Sequence, residues 1–206
     1  MIEKPKSEPD PSGAKTPLKP DWVQSLTGSL GNRLAFVWGF MEASVFFIVP
    51  DMILSASAIF DRRAALKQTA LAVGGALIGG ALIYVMAQQF PEETHEMVSG
   101  IPFVGEKMFD TVREDLTQDG AVAMLYGPTS GIPYKIYASE APPLVPISVF
   151  LLMTIPARLM RLLISVFMFS VFGYLFRSQI ENHPKRAMAC HGIYWIGIYA
   201  YYWSVI

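Results

Sequence analysis

Residues 68–88 run for a full helical span without one charged side chain. At 1.5 Å per residue such a helix is about 30 Å long, the thickness of a bilayer's hydrocarbon core. Two further stretches, 144–176 and 187–206, are similarly apolar, although the former contains Arg158 and Arg161. The whole chain agrees with a membrane environment: 52% of its residues are hydrophobic and 16% charged, against about 25% charged in an ordinary soluble domain. A net charge of −1 gives no basic face for nucleic acid. The single cysteine, Cys190, can build neither a disulfide framework nor a multi-thiolate metal site. The expected class is an all-α integral membrane protein.

The chain divides into a tail and a membrane domain. Residues 1–22 hold Pro5, Pro9, Pro11, Pro17 and Pro20 among lysines, acids and serines, which predicts a disordered, Pro-rich cytosolic tail. Residues 23–206 form the membrane domain. Within it, 68–88, 144–176 and 187–206 are predicted transmembrane helices. Residues 88–119 form a polar connector facing water, rich in acids and carrying only Lys107 and Arg113 as cations. Two apolar stretches are poor continuous helices. Residues 34–60 contain Glu42 and Pro50-Asp51, and residues 120–143 contain Gly127-Pro128, Gly131, Pro133, Lys135, Glu140 and Pro142-Pro143.

Charge bias selects a threading. If 34–60 crosses the membrane, Lys15, Lys19 and Arg33 lie opposite Arg62, Arg63 and Lys67, and the positive-inside preference has nothing to act on. If 34–60 dips in and returns, all six share the cytosolic side with Arg177, Lys185 and Arg186, leaving Lys107 and Arg113 outside. Residues 34–60 and 120–143 are then two re-entrant segments, each followed by a spanning helix and entering from opposite faces. This is a pair of inverted re-entrant hairpin plus transmembrane helix units, completed by a C-terminal transmembrane helix with Tyr199, Tyr201, Tyr202 and Trp203 as an interfacial anchor. Irregular backbone at that depth requires a cavity or a protein surround.

The intramembrane polar groups are the candidate site. Glu42 and Asp51 are carboxyls that can take up and release a proton, or can merely bond backbone freed by Pro50 and cap the following helix. Lys135 stands in Tyr126-Gly-Pro-Thr-Ser-Gly-Ile-Pro-Tyr-Lys135, a turn able to cradle an anion, and could equally snorkel to the interface. Arg158 and Arg161, three apart, share a helix face and can pair with Glu42, Asp51 or Glu140, bind a phosphate, or sit at the interface. Gly75 and Gly79 let two helices approach closely, within the chain or between copies of a homo-oligomer. His191 beside Cys190 reads as an interfacial or core pair. No metal-ligand spacing, nucleotide loop or hydrolase motif is present, so neither a cofactor nor an enzymatic activity is expected.

Several of these motifs occur together elsewhere. Glu42 with Phe46-Phe-Ile-Val-Pro-Asp51, the small-residue helix ending Gly79-Gly-Ala-Leu-Ile-Tyr84, Gly131-Ile-Pro-Tyr-Lys135 and the helix with Arg158 and Arg161 resemble the DedA, or SNARE-associated (VTT-domain), membrane protein family over roughly residues 34–176. The resemblance implies two facing re-entrant hairpins and movement of an anionic lipid, a polyprenyl phosphate or phospholipid, across the bilayer, as by a flippase in a bacterial inner membrane. It also implies proton coupling at Glu42 and Asp51 and phosphate binding at Lys135. Better-known members carry two arginines flanking a proline in the second hairpin; here there is none near Gly127, and a lysine at 135. The competing expectation is a non-transporting assembly or homeostasis factor whose buried charges pin the hairpins together.

Overall fold

The structure, a computed structural model, describes residues 20–205 apart from Phe47 and Phe103, and gives no side-chain surroundings for Pro128, Thr129, Tyr202, Trp203 or Val205. Its described residues form helices and connecting turns, with no strand among them. The order is α1 (Asp21–Thr27), α2 (Ser29–Ser44), α3 (Asp51–Phe60), α4 (Arg62–Gln89), α5 (Pro91–Ser99), α6 (Glu106–Asp119), a 3-10 turn (Gly120–Leu125), α7 (Gly127–Ser130), α8 (Tyr134–Glu140), α9 (Ile147–Leu175), α10 (Arg177–Asn182) and α11 (Pro184–Val205). Residues 1–19 of the predicted tail lie outside the described residues. At its far end the tail prediction is corrected, because α1 starts at Asp21, Val23 is fully buried and the Trp22 ring meets Phe60 edge-on at 5.3 Å.

Among the described residues, two helices are long and apolar enough to cross a membrane: α4 with 28 residues and α9 with 29. The predicted span 187–206 falls in α11, which has the length but not the apolar character, since Lys185, Arg186, His191 and a run of tyrosines dilute it. About half of the residues of α9 are exposed. Only 28% of its most apolar stretch is buried, and Leu152, Ile164, Phe167 and Leu175 stand exposed along it.

Each stretch read as broken is indeed two or more helices. Residues 34–60 divide between α2 and α3: Val45 N makes the last bond of α2, to Met41 O, and Pro50, which lacks an N–H and holds φ near −67°, stands just ahead of α3. Asp61 then turns the chain with an extended backbone and accepts from Arg63 N and Ala64 N at 3.1 Å each, capping α4. Residues 120–143 divide into the 3-10 turn, α7 and α8. Gly131 makes the α7–α8 turn at φ +75°, a left-handed conformation that glycine adopts without a Cβ penalty.

Glycines set how closely the helices lie. A Cβ at Gly39 of α2 would strike the Ala72 carbonyl of α4, and one at Gly75 would strike the Phe36 carbonyl of α2. At Gly79 it would come within 2.5 Å of the Phe40 carbonyl. Gly75 and Gly79 therefore serve packing inside the chain, with the α2 and α4 backbones in contact. The core has two parts. One gathers α2, α3, the first half of α4 and the second half of α9 around Leu54, Ala72, Leu162 and Val166. The other gathers the far end of α4, α5, α6, α8 and the start of α9 around Ile83, Phe109, Tyr137 and Phe150. The connector is thus more than a water-facing loop: Val98, Phe109, Val112 and Leu116 turn one apolar face of α5 and α6 inward, while the acids stay outside.

Candidate functional site

The six residues between α2 and α3 bring Glu42, in the last turn of α2, near Asp51, the first residue of α3. Breaking a helix exposes backbone groups that need partners when buried. Here the partners come from α2 itself and from two distant helices. Val45 N and Phe46 N donate to Met41 O at 2.8 and 2.7 Å. Trp38 Nε1 donates to Ile48 O at 2.8 Å. Lys135 Nζ of α8 donates to Phe46 O at 2.6 Å, and Val49 N donates to the Tyr199 hydroxyl of α11 at 3.0 Å.

The carboxyls are held from α9. Arg158 and Arg161 lie 11 and 14 residues beyond Ile147, about 17 and 21 Å along a helix of this rise, which puts them in the middle of α9. Three-residue spacing sets both guanidinia on one face, and each meets one acid. Arg158 Nη1 donates to Glu42 Oε1 at 3.2 Å while Nη2 and Oε2 lie 2.6 Å apart, close as ions but without hydrogen-bond alignment. Arg161 Nη2 donates to Asp51 Oδ2 at 2.7 Å. Asp51 accordingly pairs with an arginine, and its side chain makes no cap bond to α3. Glu140, a third possible partner, is instead held by Arg113 of α6 at 2.9 Å.

Tyr134 completes the arrangement around Arg158. Its ring lies beneath the guanidinium, 4.1 Å from Cζ to centroid, a cation–π contact. Thr154 uses its one hydroxyl proton on Phe150 O at 2.9 Å, so the 2.7 Å contact between Tyr134 and Thr154 has the tyrosine as donor. Arg158 Nε has no hydrogen-bond partner among the described residues, though the residue is 6% exposed.

Most of these groups border one cavity of about 220 Å³, whose wall includes Glu42, Tyr134, Lys135, Arg158, Arg161 and Tyr199; Asp51 stands behind Arg161, off the wall. Lys135 is 2% exposed and, among the described residues, enters no ion pair and makes one hydrogen bond, to a neutral carbonyl. Counting all five side chains as ionised, Lys135, Arg158 and Arg161 give three positive charges against two negative from Glu42 and Asp51. The cluster around the cavity therefore has a surplus of one positive charge, and Lys135 and Arg158 offer N–H donors without a hydrogen-bond partner among the described residues. Among the described residues no group of three or more His, Cys, Asp or Glu side chains could hold a metal ion.

The five charged residues singled out from sequence are thus brought together, with Lys135 facing Phe46 O and not paired to either acid. Tyr134, Trp195 and Tyr199 were not anticipated as part of the cavity wall. Tyr134 stands beside Lys135 in the motif already noted, but nothing in the sequence indicated its contact with Arg158. His191 is buried and bonded to Ser55 of α3 and Trp195 of its own helix, whereas its neighbour Cys190 is exposed, so the two do not act as a pair. No protein-family model, curated protein or solved structure matches the chain.

Proposed function

We propose that the protein is an integral membrane carrier that lets the headgroup of an anionic lipid cross the bilayer through the cavity between its two broken segments. The observation that carries this reading is Lys135, a buried cation on the cavity wall with no carboxylate partner among the described residues, in a cluster whose surplus charge is positive. An isolated buried charge is costly, and an anion in the cavity would compensate it. A phosphate group suits the donors present, with Lys135 as a point charge and the free Nε edge of Arg158 beside it. The exposed apolar sides of α9 and the two span-length helices fit a lipid surround. In this reading the helix-break-helix segments are re-entrant, and the N-terminus and basic loops face the cytosol of a bacterial inner membrane. Glu42 and Asp51 hold the arginines between cycles and release them on taking up a proton.

A second reading has its own support. Each charged group is also a strut: Lys135 ties α8 to the first break, and Arg158 and Arg161 tie α9 to its two sides. A non-transporting assembly or homeostasis factor would use them for nothing more. The readings separate by ligand binding. Purified protein in detergent should unfold at a higher temperature with a soluble short-chain phospholipid or polyprenyl phosphate, and unchanged with the corresponding uncharged alcohol or diglyceride. Lys135→Met should abolish the rise. Equal stabilisation of native and Lys135→Met protein, or none of either, sinks the headgroup site and leaves the struts.

A further inference from the structure

The helices around the cavity are not equally fastened. α2 lies backbone to backbone on α4 through glycines, and α9 meets α3 closely enough that a Cβ on Gly173 would come within 2.5 Å of Ile59 O. α11 has no such seat: a Cβ at Gly192 or Gly197 would meet nothing within 4 Å, and Ile193, Ile196 and Tyr201 are about 70% exposed. Among the described residues, what holds it to the first broken segment includes a stripe of three side chains four residues apart, His191, Trp195 and Tyr199, which a helix places on one face. His191 Nε2 lies 2.8 Å from Ser55 Oγ, Trp195 Nε1 donates to the same Oγ at 3.1 Å, and the Tyr199 hydroxyl accepts from Val49 N at 3.0 Å. Ser55 Oγ in turn donates to the Asp51 carbonyl at 2.5 Å. Against α9 the recorded ring contacts are edges, Phe169 with His191 and with Tyr194, both 5.3 Å between centroids.

Trp195 and Tyr199 of this stripe also form part of the cavity wall. We infer that α11 is the removable wall through which a lipid headgroup passes between the membrane and the cavity, and that Tyr199 is the positioning residue that closes it. The inference rests on the headgroup reading above. A headgroup stays attached to chains that remain in the membrane, so it has to come in sideways between two helices. The side of the cavity fastened by polar side-chain contacts, and not by backbone packing, is the one that can part. Tyr199 couples this wall to the site, because the N–H it accepts from belongs to the break between Glu42 and Asp51 and lies three residues from the carbonyl that Lys135 holds. Opening α11 would release that N–H and loosen the segment that carries both acids.

Reactivity of a cysteine inside the cavity tests the wall without reference to transport. In a Cys190→Ser background, Ile132→Cys on the cavity wall is treated with a charged, water-soluble methanethiosulfonate reagent. Adding Tyr199→Phe, which keeps the ring and removes the hydroxyl, should speed labelling several-fold, and Ser55→Ala should do the same through the other end of the stripe. Thermal unfolding keeps the two variants honest as folded proteins. Unchanged labelling in both folded variants overturns the proposal. A second arm locks the wall: in the same Cys190→Ser background, Ser55→Cys with His191→Cys, bridged through two disulfides by a bis-methanethiosulfonate that releases methanesulfinate, should stop labelled lipid from moving in proteoliposomes until a reductant is added. Movement that continues at the uncrosslinked rate in fully bridged protein also overturns it. If labelling accelerates but no lipid moves with free α11, the headgroup reading has failed and the movable wall has not.

Discussion

Removing one member of the Glu42–Arg158 pair should cost far more than removing both. Both side chains are nearly inaccessible, at 5% and 6% exposure, and among the described residues the guanidinium has the Glu42 carboxylate and the face of Tyr134 against it. Truncating one partner of a buried ion pair strands the other charge, at about 3–5 kcal/mol, whereas apolar replacement of the whole pair at similar volume is often near neutral. Glu42→Leu alone should therefore lose about 3–5 kcal/mol, held below the top of that range by the Tyr134 ring. Glu42→Leu with Arg158→Met should lose about 1 kcal/mol, the scale expected of volume-conserving changes in a core. The coupling energy from the double-mutant cycle is then several kcal/mol. Reversible unfolding in mixed detergent micelles reads it. A single-variant loss under about 1 kcal/mol, or a double-variant loss equal to the sum of the singles, would refute the reasoning. The double variant also separates strut from site, since it should be folded and yet unable to move lipid.

Other consequences follow from local geometry. Gly75→Ala forces its Cβ into the Phe36 carbonyl and should destabilise the protein by about 1–3 kcal/mol, while Gly74→Ala, whose Cβ has its nearest neighbour at 4.0 Å, should be neutral or slightly stabilising; paired unfolding curves check both. Asp61→Ala removes the acceptor of two N–H groups at the start of α4 and should cost about 0.5–2 kcal/mol, largely restored by Asp61→Asn. Tyr134→Phe loses its bond to Thr154, at about 1 kcal/mol by the same measurement, while keeping the ring under Arg158. For topology, Arg63→Cys and Gly105→Cys, both exposed positions, should label from opposite sides of the membrane in a Cys190→Ser background; labelling from one side contradicts the inverted threading.

Much of the site was legible because ionisable groups are so rare within apolar stretches that each one draws notice. Glu42, Asp51, Lys135, Arg158 and Arg161 could all be picked out in this way, and the spacing of the arginines placed them on one face. Their partners were not legible. Glu42 and Asp51 are nine residues apart across a break, so no helical period relates them, and which arginine meets which acid depends on how α9 lies against α2 and α3. The position of Pro50 marked the first break, and Gly131 with Pro133 the second. Acid-rich composition hid the inward face of α6, although Phe109, Val112 and Leu116 recur at helical spacing and could have revealed it. Tyr199 was placed among the aromatic residues of an interface because four aromatics cluster near the end of the chain. The four-residue repeat His191, Trp195, Tyr199 was the signal that it faced inward.

Headgroup translocation in proteoliposomes tests the central claim most directly. Fluorescent or spin-labelled phospholipid and labelled polyprenyl phosphate would be followed for native protein, Lys135→Met and empty vesicles, with folding of both proteins checked by thermal unfolding. The account predicts that native protein moves at least one anionic lipid above the empty-vesicle rate and that folded Lys135→Met does not. Native protein that moves none of them, or a Lys135→Met variant that moves lipid at the native rate, would contradict it.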